Sequence, residues 1–190
     1  MADMRYHIIT YGCQMNKADS ERIAAALEKN GHKAASKENE ADLIVVNMCS
    51  VRQAAVDRIF GLIQKFSKLK AQNPKLKTVL TGCVLPKDKQ KFREGFDQIL
   101  KFDDLLKYPP KCQNNSLAYI PISNGCNNAC TYCVVPFTRG PLVCRNHKKI
   151  VENIKRAVKQ GAREIWLLGQ NVNNYQSPAN LKINFAKLLR

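Results

Sequence analysis

Asn124-Gly125-Cys126-Asn127-Asn128-Ala129-Cys130-Thr131-Tyr132-Cys133 sets three thiols in one short loop, spaced C-x3-C-x2-C, straight after a β-like run from Leu117 to Ile122. A structural zinc site takes four protein ligands, usually in C-x2-C or Cys/His pairs. This loop offers three, with no neighbouring histidine or fourth cysteine. Three thiolates suit a cubane iron–sulfur cluster whose fourth iron stays open to an outside ligand. A zinc knuckle or a chance grouping of buried thiols is the competing reading. Downstream, a helix is expected over His147 to Gln160, with Ile150, Ile154, Ala157 and Val158 inward and Gly161 closing it. Arg163 to Leu168 reads as a second strand, Val134 to Gly140 as irregular, and Asn184 to Arg190 as the opening of another helix. Strand, thiol loop, helix, strand is how a (β/α) barrel begins, and active sites of such barrels form at the C-terminal ends of the strands.

The first half alternates strand and helix in the manner of a parallel sheet covered on both faces. Strands are expected at Arg5 to Thr10, Asp42 to Asn47, Lys77 to Thr81 and Gln98 to Phe102. Helices are expected from an Asp19 or Ser20 cap to Asn30 (Ile23, Ala26 and Leu27 inward), over Val51 to Lys70 with Val56, Ile59, Phe60 and Ile63 inward, and over Lys87 to Glu94. Cys13, Cys49 and Cys83 each fall two or three residues past an expected strand end. In a parallel sheet those ends share the edge where ligands bind, so three thiols far apart in sequence would converge there. Small buried cysteines also favour strand ends without any ligand, and both readings stand at this point. Asp103 to Ser116, with its paired prolines, reads as a linker in which Cys112 is an incidental thiol.

Composition narrows the classes. Eight cysteines with no secretory pattern argue for a reducing compartment, so the chain is expected to be cytoplasmic. No apolar run approaches the roughly 20 residues that span a bilayer, so no membrane partner is expected. The formal net charge of +16 favours a polyanion such as RNA or DNA, held through phosphates. A lysine-rich organism with uniformly basic proteins would give the same balance.

Taken together, the residues resemble the radical S-adenosylmethionine methylthiotransferases, and within them the tRNA-2-methylthio-N6-dimethylallyladenosine synthase branch. The resemblance is carried in order by Tyr11-Gly12-Cys13-Gln14-Met15-Asn16, Asn47-Met48-Cys49-Ser50-Val51-Arg52, Gly82-Cys83, Gly125 to Cys133 with Val134-Val135-Pro136, Arg139-Gly140, and Gly169-Gln170-Asn171-Val172-Asn173. The last string sets this branch apart from relatives that modify threonylcarbamoyl-adenosine in tRNA or a ribosomal-protein aspartate.

The resemblance implies an α/β chain in three parts. These are a Rossmann- or flavodoxin-like methylthiotransferase domain over residues 1–104, a linker over 105–116, and the start of a radical-SAM (β/α) barrel over 117–190. It implies two [4Fe–4S] clusters, an auxiliary one on Cys13, Cys49 and Cys83, and a second on Cys126, Cys130 and Cys133. The second would bind S-adenosylmethionine through its open iron, with Tyr132 beside the adenine. It further implies radical methylthiolation at C2 of the isopentenylated adenosine beside the anticodon. The implied partners are a tRNA anticodon stem-loop and an electron donor such as flavodoxin or ferredoxin.

Three places depart from the family pattern. After Arg139-Gly140 the usual glutamate and Ser-Arg are replaced by Leu142 and by Cys144-Arg145, so the polar cofactor contacts of that segment are not carried over. Val84-Leu85-Pro86 replaces the usual continuation after Cys83. The rest of the barrel and a small C-terminal RNA-binding β-domain are missing from the sequence. The chain alone is therefore expected to be inactive, and to act with a portion supplied elsewhere. Cys112, Cys144, Arg139, Gln170 and Asn171 receive no role. The alternatives are a methylthiotransferase of threonylcarbamoyl-adenosine in tRNA or of a ribosomal-protein aspartate, a truncated non-catalytic iron–sulfur protein that binds RNA, and a zinc-stabilised nucleic-acid-binding protein.

Overall fold

The computed structural model describes residues 3–101, 108–111 and 116–190. The chain divides into two compact units, Met1–Pro109 and Pro110–Arg190. The expected linker lies largely outside the described residues, and Cys112 lies wholly outside them.

In the first unit, β1 (Arg5–Tyr11), β2 (Lys33–Ala34), β3 (Leu43–Cys49), β4 (Lys77–Cys83) and β5 (Gln98–Ile99) form one parallel sheet in the order β2-β1-β3-β4-β5. That is the flavodoxin-like doubly wound order, with its topological switch point between β1 and β3. Every residue of β3 is buried, as a strand covered on both faces requires. Period-two alternation sends Ile44, Val46 and Met48 to one face, where they meet Ile59, Leu62 and Phe66 of α2 (Gln53–Gln72) and Phe92 of α3 (Pro86–Phe92). Leu43 and Val45 face the other way, against Ile23 and Ala24 of α1 (Gln14–Lys29). Each fully buried aliphatic or aromatic side chain in these layers contributes about 1.5–3 kcal/mol relative to exposure.

Several expectations shift. Helix α1 begins at Gln14, so Asp19 and Ser20 lie inside it rather than capping it. Strands β3 and β4 run on to Cys49 and Cys83, which are their last residues rather than residues beyond them. The expected strand from Gln98 forms only as Gln98–Ile99, and Phe102 lies outside the described residues. Phe60 is 47% exposed, because the buried stripe of α2 runs through Val56, Ile59, Leu62 and Phe66, and Phe60 at its margin leans edge-on against Phe92.

In the second unit, β6 (Leu117–Pro121) and β9 (Glu164–Leu168) pair in parallel, joined through α5 (His147–Lys159). Ile150, Ile154 and Ala157 of α5 pack on Ala118, Ile120, Ile165 and Leu167. Val158, expected inward, is 55% exposed. Between β6 and α5, β7 (Ser123–Asn124) pairs antiparallel with β8 (Val143–Cys144), and the segment read as irregular holds a short helix, α4 (Val135–Arg139). A hairpin of β10 (Gln176–Ser177) and β11 (Asn180–Asn184), not anticipated, precedes α6 (Phe185–Leu188). No described helix is long and apolar enough to cross a membrane.

Asp97 fastens the short β5 end of the sheet. Its carboxylate accepts from the Thr78 N–H (2.6 Å) and Oγ1 (2.8 Å) and pairs with Lys70 Nζ (2.8 Å). Desolvation works to raise this carboxyl, but the hydrogen bonds from Lys70 and Thr78, with the lysine charge, outweigh it and hold it below its ordinary value. A carboxyl depressed in the folded state contributes stability above the unfolded carboxylate range, and that contribution disappears as pH falls through the folded value. Asp97→Asn should therefore weaken local protection by about 1–2 kcal/mol near neutrality, with the difference from wild type vanishing in acid. Amide exchange at Leu100, whose N–H donates to the Leu80 carbonyl (2.9 Å), reads both arms; a difference that grew in acid would refute the assignment.

Candidate functional site

The switch point of the first sheet carries the first thiol group. Cys13 follows β1 and occupies the N-cap of α1. Cys49 and Cys83 end β3 and β4 and are register partners, so their Cα atoms stand roughly one strand spacing, about 4.8 Å, apart. Strand alternation puts both on the α1 side of the sheet, together with Asn47. The Ser50 N–H donates to the Cys83 carbonyl at 2.9 Å, continuing the pairing past the strand ends. The three sequence-distant cysteines thus share one sheet edge.

What fixes Cys13 there is a pair of fully buried amides. Asn16 Oδ1 accepts from the Cys13 N–H (3.4 Å) and Sγ (3.3 Å), while Asn16 Nδ2 donates to Asn47 Oδ1 (2.9 Å) and the Met48 carbonyl (3.1 Å). Asn47 Nδ2 donates in turn to the Asn16 carbonyl (2.8 Å) and to Ser20 Oγ (2.9 Å), and Ser20 pairs with Thr10 Oγ1. Both asparagines are 0% exposed. The amides bolt the β1–α1 turn onto β3. Gly82 completes the fit, with φ +106° and room for no side chain, since a Cβ would stand 2.1 Å from the Met48 carbonyl oxygen. Sequence reasoning quoted Asn16 and Asn47 only as parts of motifs. The signal available was a single amide closing the otherwise apolar run Leu43 to Val46.

The second thiol group is local. Cys126, Cys130 and Cys133 line one cavity of about 620 Å³ together with Pro136, Phe137 and Pro141. The loop is strapped to the segment that follows α4. The Cys126 N–H donates to the Gly140 carbonyl (3.1 Å), the Leu142 N–H donates to Asn127 Oδ1 (2.8 Å), and Cys133 N–H donates to the Cys130 carbonyl (3.0 Å). Asn124 and Arg139 clamp each other, Nη1 donating to Oδ1 at 2.9 Å and Asn124 Nδ2 to the Arg139 carbonyl at 3.3 Å. Gly125, at φ +72°, passes so near Pro141 that a Cβ would sit 2.0 Å from its carbonyl oxygen.

Of the remaining sequence-flagged residues, Tyr132 is 88% exposed and is not among the side chains lining that cavity. Asn171 caps the helical turn Val172–Asn174 by accepting from the Asn173 N–H (3.2 Å), and Asn174 Nδ2 reaches Asn128 of the thiol loop (3.4 Å). Cys144 lies on β8 opposite Ser123.

Among the described residues, no three His, Cys, Asp or Glu side chains form a grouping that could hold a single metal ion. An iron–sulfur cubane spreads its thiolates over separate irons, so cysteines at a sheet edge or around a cavity suit it better than they suit one zinc. The donor chemistry of both groups fits that cofactor.

The sequence model of Uncharacterized protein family UPF0004 matches residues 5–102, half of the chain and the whole sheet of the first unit. The chain belongs to the UPF0004 family. In this UPF0004 chain, residues 120–189 match the radical SAM superfamily model in addition. A tRNA-2-methylthio-N(6)-dimethylallyladenosine synthase of Thermoanaerobacter sp. (strain X514) is 37% identical, over 98% of this chain and 47% of the relative. The synthase of the same description from Carboxydothermus hydrogenoformans is 36% identical over 100% and 50%, and that from Moorella thermoacetica is 34% identical over 97% and 49%. The UPF0004 chain spans about half the length of the curated relatives it matches.

The buried amide pair makes a stability prediction. Asn16→Ala and Asn47→Ala should each cost about 2 kcal/mol, because each strands a buried partner. The double variant should cost clearly less than their sum. Urea unfolding of the first unit checks this, and strict additivity would show that the two amides do not act as one device.

Proposed function

We propose that this chain is the cysteine-bearing portion of a tRNA methylthiotransferase, acting at C2 of an isopentenylated adenosine beside the anticodon. One observation carries the reading. The chain joins a UPF0004 sheet with a cysteine group at its switch point to a radical SAM match with a cysteine group in its first loop. The names of the relatives supply the substrate class.

On this reading Cys13, Cys49 and Cys83 hold one [4Fe–4S] cluster and Cys126, Cys130 and Cys133 the other. Bound there, the clusters and S-adenosylmethionine supply the radical C–H cleavage and sulfur transfer that acid–base side chains do not perform near neutral pH. The chain's own residues then have three tasks. Asn16 and Asn47 hold the Cys13 turn against the strand that ends in Cys49. The Asn124–Arg139 clamp and the Gly140 carbonyl keep the second thiol loop folded back on its own segment. Exposed lysines meet the phosphates of the RNA, and an unpaired loop base is the natural target for such recognition. Tyr132 is assigned to the adenine of S-adenosylmethionine, which its exposed ring is free to cover. The domain bounds follow as residues 1–104, 105–116 and 117–190. A reducing cytoplasm and a small electron-transfer protein such as flavodoxin or ferredoxin complete the setting.

Anaerobic reconstitution tests this directly. Wild type should take up about eight irons, and a Cys126/Cys130/Cys133→Ala variant about four, the sums for two cubanes and one. One cubane or none in wild type, about four irons or fewer, would overturn the reading.

A further inference from the structure

Phe137 stands at the second thiol group without belonging to the core. It is 77% exposed and lies outside both the core around Ile120 and Ile150 and its margin, yet it lines the cavity shared with Cys126, Cys130 and Cys133. Helix α4 holds it there. The Phe137 N–H donates to the Val134 carbonyl and the Gly140 N–H to the Pro136 carbonyl, both at 3.1 Å, and Thr138 Oγ1 donates to the Val134 carbonyl at 3.2 Å. The Arg139–Asn124 clamp ties the end of this helix to the strand that leads into the thiol loop. A phenylalanine kept out of the core forgoes about 1.5–3 kcal/mol of burial, which a ligand that covers the ring recovers in part.

The charge around the cavity decides what kind of group the ring suits. The chain has no acidic residue between Asp104 and Glu152, while Arg139, Arg145, Lys148 and Lys149 fall within that stretch. Among the described residues no carboxylate lines the cavity. Leu142 occupies the place of the glutamate usual in the family the sequence resembles. A cation that enters therefore finds the cysteine thiolates and one aromatic face, that of Phe137, because the Tyr132 side chain is not among the lining groups. The negative face of an aromatic ring attracts a cation without itself carrying charge.

We infer that the Phe137 ring is the face on which the sulfonium of S-adenosylmethionine packs. This rests on the function proposed above, in which the open iron of the second cluster takes up that molecule. Amino and carboxylate groups are the donors that S-adenosylmethionine offers to an open iron, and a short carbon chain links them to the sulfonium. The sulfonium therefore belongs in the cavity with the cysteines, while the adenine is left to Tyr132 outside its lining. The ring thus selects the charged cofactor over S-adenosylhomocysteine, the neutral thioether that remains once a methyl has been given up.

The experiment uses the full chain, reconstituted with iron and sulfide, and equilibrium dialysis of labelled S-adenosylmethionine and S-adenosylhomocysteine. The quantity read is the ratio of the two Kd values. Phe137→Leu keeps an apolar side chain but removes the ring, and should cut the preference for the sulfonium at least about fivefold. Phe137→Trp should keep that preference or raise it. Tyr132→Leu should weaken both ligands alike and leave the ratio in place, and all three variants should keep the wild-type iron content. Equal weakening of both ligands by Phe137→Leu would mean plain packing and overturn the inference, as would an unchanged Kd for both, with the proposed function left intact. A ratio that falls in Tyr132→Leu and not in Phe137→Leu would overturn it as well. A wild type that loads its irons but binds no S-adenosylmethionine would overturn both the inference and the function it rests on.

Discussion

The first unit depends on one buried contact, the reciprocal pairing of the Asn16 and Asn47 amides. A parallel sheet by itself brings strand ends to a common edge but says nothing about the loops that leave them. Here the loop after β1 is drawn onto β3 by four hydrogen bonds from two side chains that water never reaches. In so dry a setting an unmet amide costs more than a met one gains. The pair consequently works as a register lock. The hold of the Cys13 turn on β3, the strand that ends in Cys49, is the most visible outcome.

The second thiol group rests on a different principle. Its cysteines are close in sequence, so folding need not gather them. What the structure adds is restraint from outside the loop, through Gly140, Leu142, the Asn124–Arg139 clamp and the reach of Asn174 to Asn128. Backbone groups supply much of this strapping. That explains how the segment keeps its path even where Leu142, Cys144 and Arg145 replace the polar residues usual in the family the sequence resembles. A strap made of carbonyls and N–H groups tolerates changes of side chain.

Much of the architecture was legible in the amino acids. Asp42 to Asn47 read as a strand of the kind covered on both faces, and the strand–helix alternation around it read as a parallel sheet with thiols near its carboxyl edge. The match to UPF0004 and to the radical SAM superfamily bears out the family resemblance. The start of α1 was not legible, because its cap is a cysteine answered by Asn16 rather than a serine, threonine or aspartate. Phe60 misled for a geometric reason. At 100° per residue it borders the stripe of Val56, Ile59, Leu62 and Phe66, and its half-exposed ring only leans edge-on against the buried Phe92. The β10–β11 hairpin escaped because β10 is only two residues long, although Leu181 and Ile183 alternate with polar residues along β11.

The contrast in how the two thiol groups are assembled also bears on the order in which the protein matures. The last of the first three cysteines is separated from the first by the whole of α1, β3, α2 and β4, so they meet only when the sheet has closed. Contacts of such long sequence separation form late, since chain entropy must be surrendered before they reward it. Cys126, Cys130 and Cys133 span a single loop and can gather while the surrounding chain is still finding its fold. A metal centre in that loop can nucleate structure, whereas one at the sheet edge can only seal structure already made.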